Sequence, residues 1–214
     1  MTGLISMTAR TRPRAADFTI ERQIRADHIG VAAGYVWEAF GTKLNRLLGP
    51  AERAQILLRR IIRPEYGFGA VGPSGELLGV AGFKTPEGAF IDGSLKDLML
   101  VYGLLGCAWR APLLEVIERD CEDGVLLMDG ICVAATARGQ GIGSALIEAV
   151  VAEAGRRGLG VVRLDVVEGN PRARALYERQ GFQAVDSARL GVFRHLFGFA
   201  SSVQMRRAVP QLTA

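Results

Sequence analysis

Histidine and cysteine are both scarce, at two and three residues in a chain of 214. With only His28 and His195, a histidine-built zinc site is not expected, and no metal is assigned. Cys107, Cys121 and Cys132 show neither paired nor metal-ligand spacing, so reduced thiols in a cytoplasmic protein are expected rather than a disulfide framework. The apolar run Leu98–Trp109 has 12 residues, too few to span a bilayer, and no integral membrane segment is expected. No apolar stretch follows Arg10, Arg12 and Arg14, so a secretory signal is not expected there. The charge excess is small, 26 basic against 22 acidic residues for a net +4. That is too little to point to nucleic acid, yet it suits a small anionic ligand. Two nucleotide-binding patterns are also missing. The glycines fall at Gly139, Gly141 and Gly143, with Ser144 where a G-x-G-x-x-G pattern needs its last glycine, and no Gly-Lys-Ser/Thr triplet exists.

What is present reads as a soluble globular chain. A 49% hydrophobic and 22% charged composition can build one large core, and the length fits one domain. Residues 1–16, with Pro13 among the arginines, read as a disordered basic leader, and 17–214 as a single domain; Met7 offers an alternative start. Phe18–Ile24 alternates as a half-buried strand should. A helix is expected from Ala26-Asp27-His28 to about Gly41, with Asp27 as its cap and His28 solvated or capping. A second helix, between Gly49-Pro50 and Pro64, carries Ile56, Leu57, Arg60 and Ile61. Gly67–Gly72 and Glu76–Lys84, flanking Pro73-Ser74-Gly75, read as a β-hairpin. Gln183–Arg189 and Ser201–Val209 read as closing strands. Between them lies an aromatic loop, Leu190–Phe199, whose His195 is read as structural.

The chain is organised around residues 124–182. The apolar run Val125–Val133 reads as a strand, and Ile142, Leu146, Ala149, Val150 and Ala154 recur at helical spacing. Arg138-Gly139-Gln140-Gly141-Ile142-Gly143 therefore joins a strand to a helix N-terminus. There the first backbone N–H groups have no internal partner, and the helix dipole adds partial positive charge. Gly141 and Gly143 carry no Cβ, so an anion such as a phosphate can approach the backbone closely. A turn whose glycines serve only tight packing would look the same.

The turn matches Q/R-x-x-G-x-G/A, and a second pattern follows it. Leu164-Asp165-Val166 ends a strand, then come Asn170-Pro171-Arg172-Ala173-Arg174-Ala175-Leu176-Tyr177-Glu178 and Gly181-Phe182. Together the two stretches resemble the half-motifs of the GNAT superfamily, the acyl-CoA-dependent N-acyltransferases. The resemblance implies an α/β (α+β) fold with a mixed, mostly antiparallel central sheet of about seven strands flanked by helices. It also implies an N-acetyltransferase that moves an acetyl group from acetyl-CoA to a primary amine by direct attack in a ternary complex. The acceptor, a small-molecule or peptide amine, is not specified.

The resemblance further implies site roles. Backbone groups of Ile131, Cys132 and Val133 would pair with the pantetheine arm, as in strand addition. The amides of Arg138, Gly139, Gln140, Gly141, Ile142, Gly143 and Ser144 would hold the pyrophosphate. Asn170 would bond the pantetheine end, and Arg172 and Arg174 could meet the 3′-phosphate. Tyr177 matches the tyrosine that protonates the leaving thiolate. Asp129 and Asp165 are the two candidates for the base, each equally readable as structural. Trp37, Glu38 and Phe40, on the first helix, would flank the acceptor.

Residues 85–120 depart from the resembling pattern as an apolar helical insertion before the fourth strand, starting at Ser94-Leu95-Lys96-Asp97 and closed by Arg110 and Pro112. An insertion this apolar is expected to pack on its own domain or on a second copy, which makes a homodimer an expectation. It could instead wall the acceptor pocket and bias it toward an apolar or aromatic amine. Two readings from other classes stand beside the enzyme: a non-catalytic acyl-CoA-binding sensor on the same fold, and an interaction or membrane-peripheral protein working through the insertion.

Overall fold

A tight turn at Pro73-Ser74-Gly75, with Gly75 at φ 86°, sets the first half of the sheet. A left-handed φ of this kind favours glycine. The turn joins β2 (Gly67–Val71) to β3 (Leu77–Thr85) as the expected antiparallel hairpin. The computed structural model describes residues 17–115, 121–189 and 201–210, so the leader 1–16 and the loop bearing His195 lie outside the described residues.

On one side of the hairpin, β1 (Thr19–Arg22) pairs with β2. On the other, β5 (Val125–Val133) pairs antiparallel with β3, and the two-residue β4 (Gly88–Ala89) folds back onto the far end of β3. The sheet continues through β6 (Val161–Val167), β8 (Ser201–Ala208) and β7 (Gln183–Arg189), in the order β1-β2-β3-β5-β6-β8-β7. It is a mixed sheet of eight strands in which β5 and β6 are the parallel pair.

Helices cover both faces. On one face α4 (Ile142–Arg156) buries Leu146, Ile147 and Val150 completely against Phe83, Leu126 and Leu164, and α5 (Pro171–Arg179) packs Tyr177 into the same core. The other face carries α1 (Ile29–Leu48), α2 (Ala51–Ile61) and α3 (Leu95–Glu115) around Val80, Phe90 and Cys132. Phe90 lies over two sheet glycines, and a Cβ on Gly82 would come within 2.3 Å of its ring.

The front of the chain differs from the sequence reading in two places. α1 runs on through Gly41 to Leu48. His28 is buried, with Nε2 2.9 Å from the Gly75 carbonyl oxygen, so it ties α1 to the hairpin turn and is not solvated. Asp27 makes no capping hydrogen bond.

The insertion starts on a reciprocal cap. The Asp97 N–H donates to Ser94 Oγ at 3.3 Å, and the Ser94 N–H donates to Asp97 Oδ2 at 3.2 Å. Gly103, at φ 72° and ψ 175°, breaks α3 into two pieces. Arg110 does not close the helix. Its Nε donates to the Leu47 carbonyl at 2.7 Å and its guanidinium stacks 4.1 Å over the Tyr102 ring, so it anchors α3 to the end of α1 while the helix continues to Glu115. Leu95–Glu115 is long and apolar enough to cross a membrane by length and composition, more than the 12-residue run suggested, but the break at Gly103 divides it. Only its inner side is buried, at Leu98, Tyr102 and Cys107, while Leu104 is 71% and Leu105 87% exposed.

Among the described residues, Glu153 on α4 is the buried carboxylate ringed by arginines. Arg22 of β1 donates at 3.1 Å, Arg157 at 2.7 Å, and Arg156 closes the group. Burial opposes its ionisation, but the Arg156 and Arg157 hydrogen bonds and the charge of Arg22 together outweigh it, so the carboxyl sits below its ordinary value of 4.5. A depressed pKa stabilises the fold above the unfolded value, and that stabilisation is lost as pH falls through the folded one. Glu153→Gln is therefore expected to cost about 1–3 kcal/mol near neutral pH. Urea unfolding should show the gap between wild type and variant closing as pH falls below the ordinary value of 4.5.

Candidate active site

β5 and β6 pair over three residues only, Val125–Leu127 with Val161–Arg163. Beyond that point each keeps its outer partner, β5 with β3 through Val133 and β6 with β8 through Val167. The inner edges part, and a cleft of about 670 Å³ opens between them. Its walls are Met128, Gly130, Ile131 and Val133 on one side and Leu164–Val167 on the other.

The glycine-rich turn closes the far end. Gly139 at φ 80° and Gly141 at φ 87° are both left-handed, and an added Cβ at either would meet open space, so the backbone conformation is what calls for glycine. Gly141 is the N-cap residue of α4, and the Ala145 N–H makes the first helical bond, to the Gly141 carbonyl at 3.0 Å. The N–H groups of Ile142, Gly143 and Ser144 are thus the orphan donors of this helix, at its positive dipole end, and all three residues line the cleft. Gly143 differs from the other two glycines. It lies within the helix, and a Cβ there would come 3.3 Å from Leu176 of α5, so its smallness lets α4 and α5 approach.

The remaining turn residues play supporting parts. Arg138 Nε donates to the Val133 carbonyl at 3.0 Å, and Nη2 reaches Glu38 of α1 at 3.2 Å. Gln140 stands outside the cleft, its amide donating to the Thr136 carbonyl at 3.2 Å. Cys132 also lies outside it, on the opposite face of β5. Burial pushes its thiol up to about 12, with the Glu38 charge adding to the effect.

α5 supplies the side of the cleft beyond β6. Asn170 caps it, Oδ1 accepting from the Ala173 N–H at 3.1 Å, and Pro171 takes the first helical position. Two turns along, Tyr177 is buried edge-on against Phe182, with ring centroids 6.0 Å apart. Burial raises its phenol to about 12, with a smaller contribution from the Cys132 thiol. It therefore stays protonated across the physiological range. Arg172 borders the cleft as expected, whereas Arg174 pairs with Glu178 at 2.9 Å. Arg179 also lines the cleft. The sequence reading missed it, although it lies on the same helix as Arg172.

The two aspartates occupy different settings. Asp165 lines the cleft, and its side chain is 8% exposed, 3.5 Å from Arg163, which in turn bonds Glu122 at 2.6 Å. Asp129 sits in a β-bulge, where Gly82 and Phe83 of β3 face Gly130 and Met128. The bulge inverts the alternation of β5. Leu126 and Met128 face α4 before it, and Ile131 and Val133 do so after it. Asp129 and Gly130 line both this cleft and a second cavity on the α1 side, together with Phe40 and Leu44 of α1. Of the three α1 residues expected near an acceptor, Phe40 lines both cavities, Glu38 pairs with Arg138, and Trp37 packs beside Gly41.

The Acetyltransferase (GNAT) family model matches residues 35–182. Among solved structures, the histone acetyltransferase HPA2 and related acetyltransferase from Corynebacterium glutamicum superposes with a TM-score of 0.63 at 20% identity, covering 92% of this chain and 99% of that one. An N-acetyltransferase from Staphylococcus aureus Mu50 gives 0.62 at 13% identity, with coverages of 88% and 100%. The ribosomal-protein-S18-alanine N-acetyltransferase from Escherichia coli gives 0.54 at 16% identity, with coverages of 92% and 97%. At these identities the superpositions speak for the fold. Among curated proteins, none matches the sequence.

The cysteines offer a check on the geometry. Cys107 and Cys132 are buried and Cys121 is partly exposed. In the folded protein Cys121 should react fastest with a disulfide reagent, because solvent reaches it; burial raises its thiol, so the rate should climb as pH rises above about 8. Cys121→Ser should remove the fast amplitude and Cys132→Ser should leave it unchanged; a fast Cys132 would contradict the burial described.

Proposed function

The chain belongs to the GNAT family of acetyltransferases, and from that premise we propose that it transfers an acetyl group from acetyl-CoA to a primary amine by direct attack in a ternary complex. The observation that carries this reading is the parted β5–β6 pair, ending at a helix N-terminus with a buried tyrosine beside it. Acetyl-CoA supplies an activated thioester. The protein's task is to hold it, to accept a proton from the amine and to give one to sulfur.

The inner edge of β5 from Gly130 to Val133 acts as a half-empty ladder for the amides of the pantetheine arm. A backbone N–H there also polarises the thioester carbonyl. The orphan amides of Ile142, Gly143 and Ser144 take the pyrophosphate, with Gly139 and Gly141 shaping the approach. Asn170 borders the pantetheine end, and Arg172 and Arg179 supply positive charge at the rim. Tyr177, kept as a phenol by burial, donates to the departing sulfur.

Asp129 serves as base in preference to Asp165, because it stands where the two cavities meet. The acceptor enters as R–NH₃⁺ and loses one proton by way of Asp129. The nitrogen lone pair then forms the C–N bond while the C–S bond breaks with its electrons on sulfur. Asp129, having passed the first proton to solvent, takes the second proton from nitrogen, sulfur takes one from Tyr177 to leave as the thiol, and the Tyr177 phenolate regains its proton from solvent. The setting proposed for this work is the cytoplasm.

Isothermal titration of acetyl-CoA, followed by thiol release over an amine panel, tests the reading. Tyr177→Phe and Asp129→Asn are each expected to lower kcat by about 10²–10⁴-fold, the usual worth of a positioned acid or base. Acetyl-CoA affinity should stay within about threefold of wild type, and Asp165→Asn should retain most of the turnover. Absence of acetyl-CoA binding would reject the transferase. Binding without turnover on any amine, with Tyr177→Phe indistinguishable from wild type, would favour a sensor.

A further inference from the structure

The second cavity, about 760 Å³, opens off the cleft at Phe40, Asp129 and Gly130. That volume suits a drug-sized ligand. Among the described residues its floor is built by apolar side chains of three helices, Val36, Leu48, Leu57, Leu58, Ile61 and Leu98, all buried, while Thr85 and Ser94 add hydroxyls at the wall. The inserted segment completes the wall with Phe90 and Ile91 on one side and Ala111 and Leu114 on the other. Charged groups stand at the edge. Four carboxylates, Glu87, Asp92, Glu115 and Asp129, line the cavity against one ammonium, Lys84. Asp92 lies 3.8 Å from Arg63 and Glu87 4.0 Å from Arg157, both ion pairs with at least one well-exposed partner.

We propose that this cavity binds the body of the acceptor, and that the acceptor is a primary amine carried on an apolar alkyl or aryl body, its ammonium held at Asp129 and the rest laid against the three-helix floor. The inference rests on the transferase reading and names its substrate class. A polyhydroxylated or polycationic amine would bury donors and charges against a floor that offers them no partner, at the cost of their desolvation. An apolar body gains from the same floor with every methylene covered. The shared lining at Asp129 and Gly130 places the ammonium head where the cleft begins.

The test measures acceptor binding apart from catalysis. Butylamine, hexylamine, octylamine and phenethylamine, with ethanolamine, glucosamine and spermidine as polar counterparts, are titrated into the full chain and then assayed for thiol release with acetyl-CoA. Affinity is expected to rise about threefold to fourfold per added methylene along the alkyl series. The polar amines should bind at least about tenfold more weakly than octylamine. Leu114→Asp should weaken octylamine by about tenfold or more, with acetyl-CoA affinity close to wild type. Leu95→Ser, at the exposed start of α3, gives a second, milder variant that does not threaten the core. Spermidine or glucosamine binding as tightly as octylamine, or no gain along the alkyl series, overturns the inference whatever acetyl-CoA does. Loss of acetyl-CoA binding with the alkyl series intact would instead count against the transferase alone.

Discussion

Everything at the centre of this protein depends on two parallel strands that stop pairing. β5 and β6 share three residues of register and then separate, each still held by an antiparallel neighbour on its outer edge. That arrangement is stable because the outer ladders carry the hydrogen bonds. It leaves backbone groups facing a cavity, where an extended ligand can take the place of a strand. The helices follow from it. α4 closes the cleft because its N-terminus follows β5 after a turn that two left-handed glycines make possible, and α5 flanks it because Asn170 and Pro171 start a helix directly after β6.

A single extra residue then links the cleft to the acceptor side. The bulge at Asp129 interrupts the β3–β5 ladder and reverses which side chains of β5 face α4. Tyr177 and Asp129 mark the two ends of the proposed proton path. One is a phenol held neutral by burial, and the other a carboxylate at the junction of two cavities.

Much of the first cavity was legible in the sequence, because its parts are local. The glycine-rich turn before α4 and the stretch from Asn170 to Tyr177 both lie within 139–177, and each is a short contiguous pattern. The hairpin was legible for the same reason. The misses have a common physical source, since they depend on contacts between distant segments. Alternation alone could not place Asp129, because a bulge shifts the parity of everything after it. His28 looked solvated because its partner, the Gly75 carbonyl, is 47 positions away. The apolar run of the insertion was expected to pack on its own domain or on a second copy; within the chain, α3 buries one side and exposes Leu104 and Leu105 on the other. The floor of the second cavity comes from α1, α2 and α3, and no window of sequence contains it.

The two cavities are assembled from different stretches of chain. Apart from Ala39 and the shared edge at Phe40, Leu44, Asp129 and Gly130, the cleft draws on 128–179, while the second cavity is walled largely by α1, α2 and the segment from Lys84 to Glu115. Under the proposed transferase reading, such a division makes substrate choice and transfer chemistry separately heritable. Drift in the inserted segment can retune what is acylated while the thioester cleft stays under its own selection. A lineage carrying this architecture can therefore explore new acceptors by changes in one short region, without passing through variants that have lost the reaction.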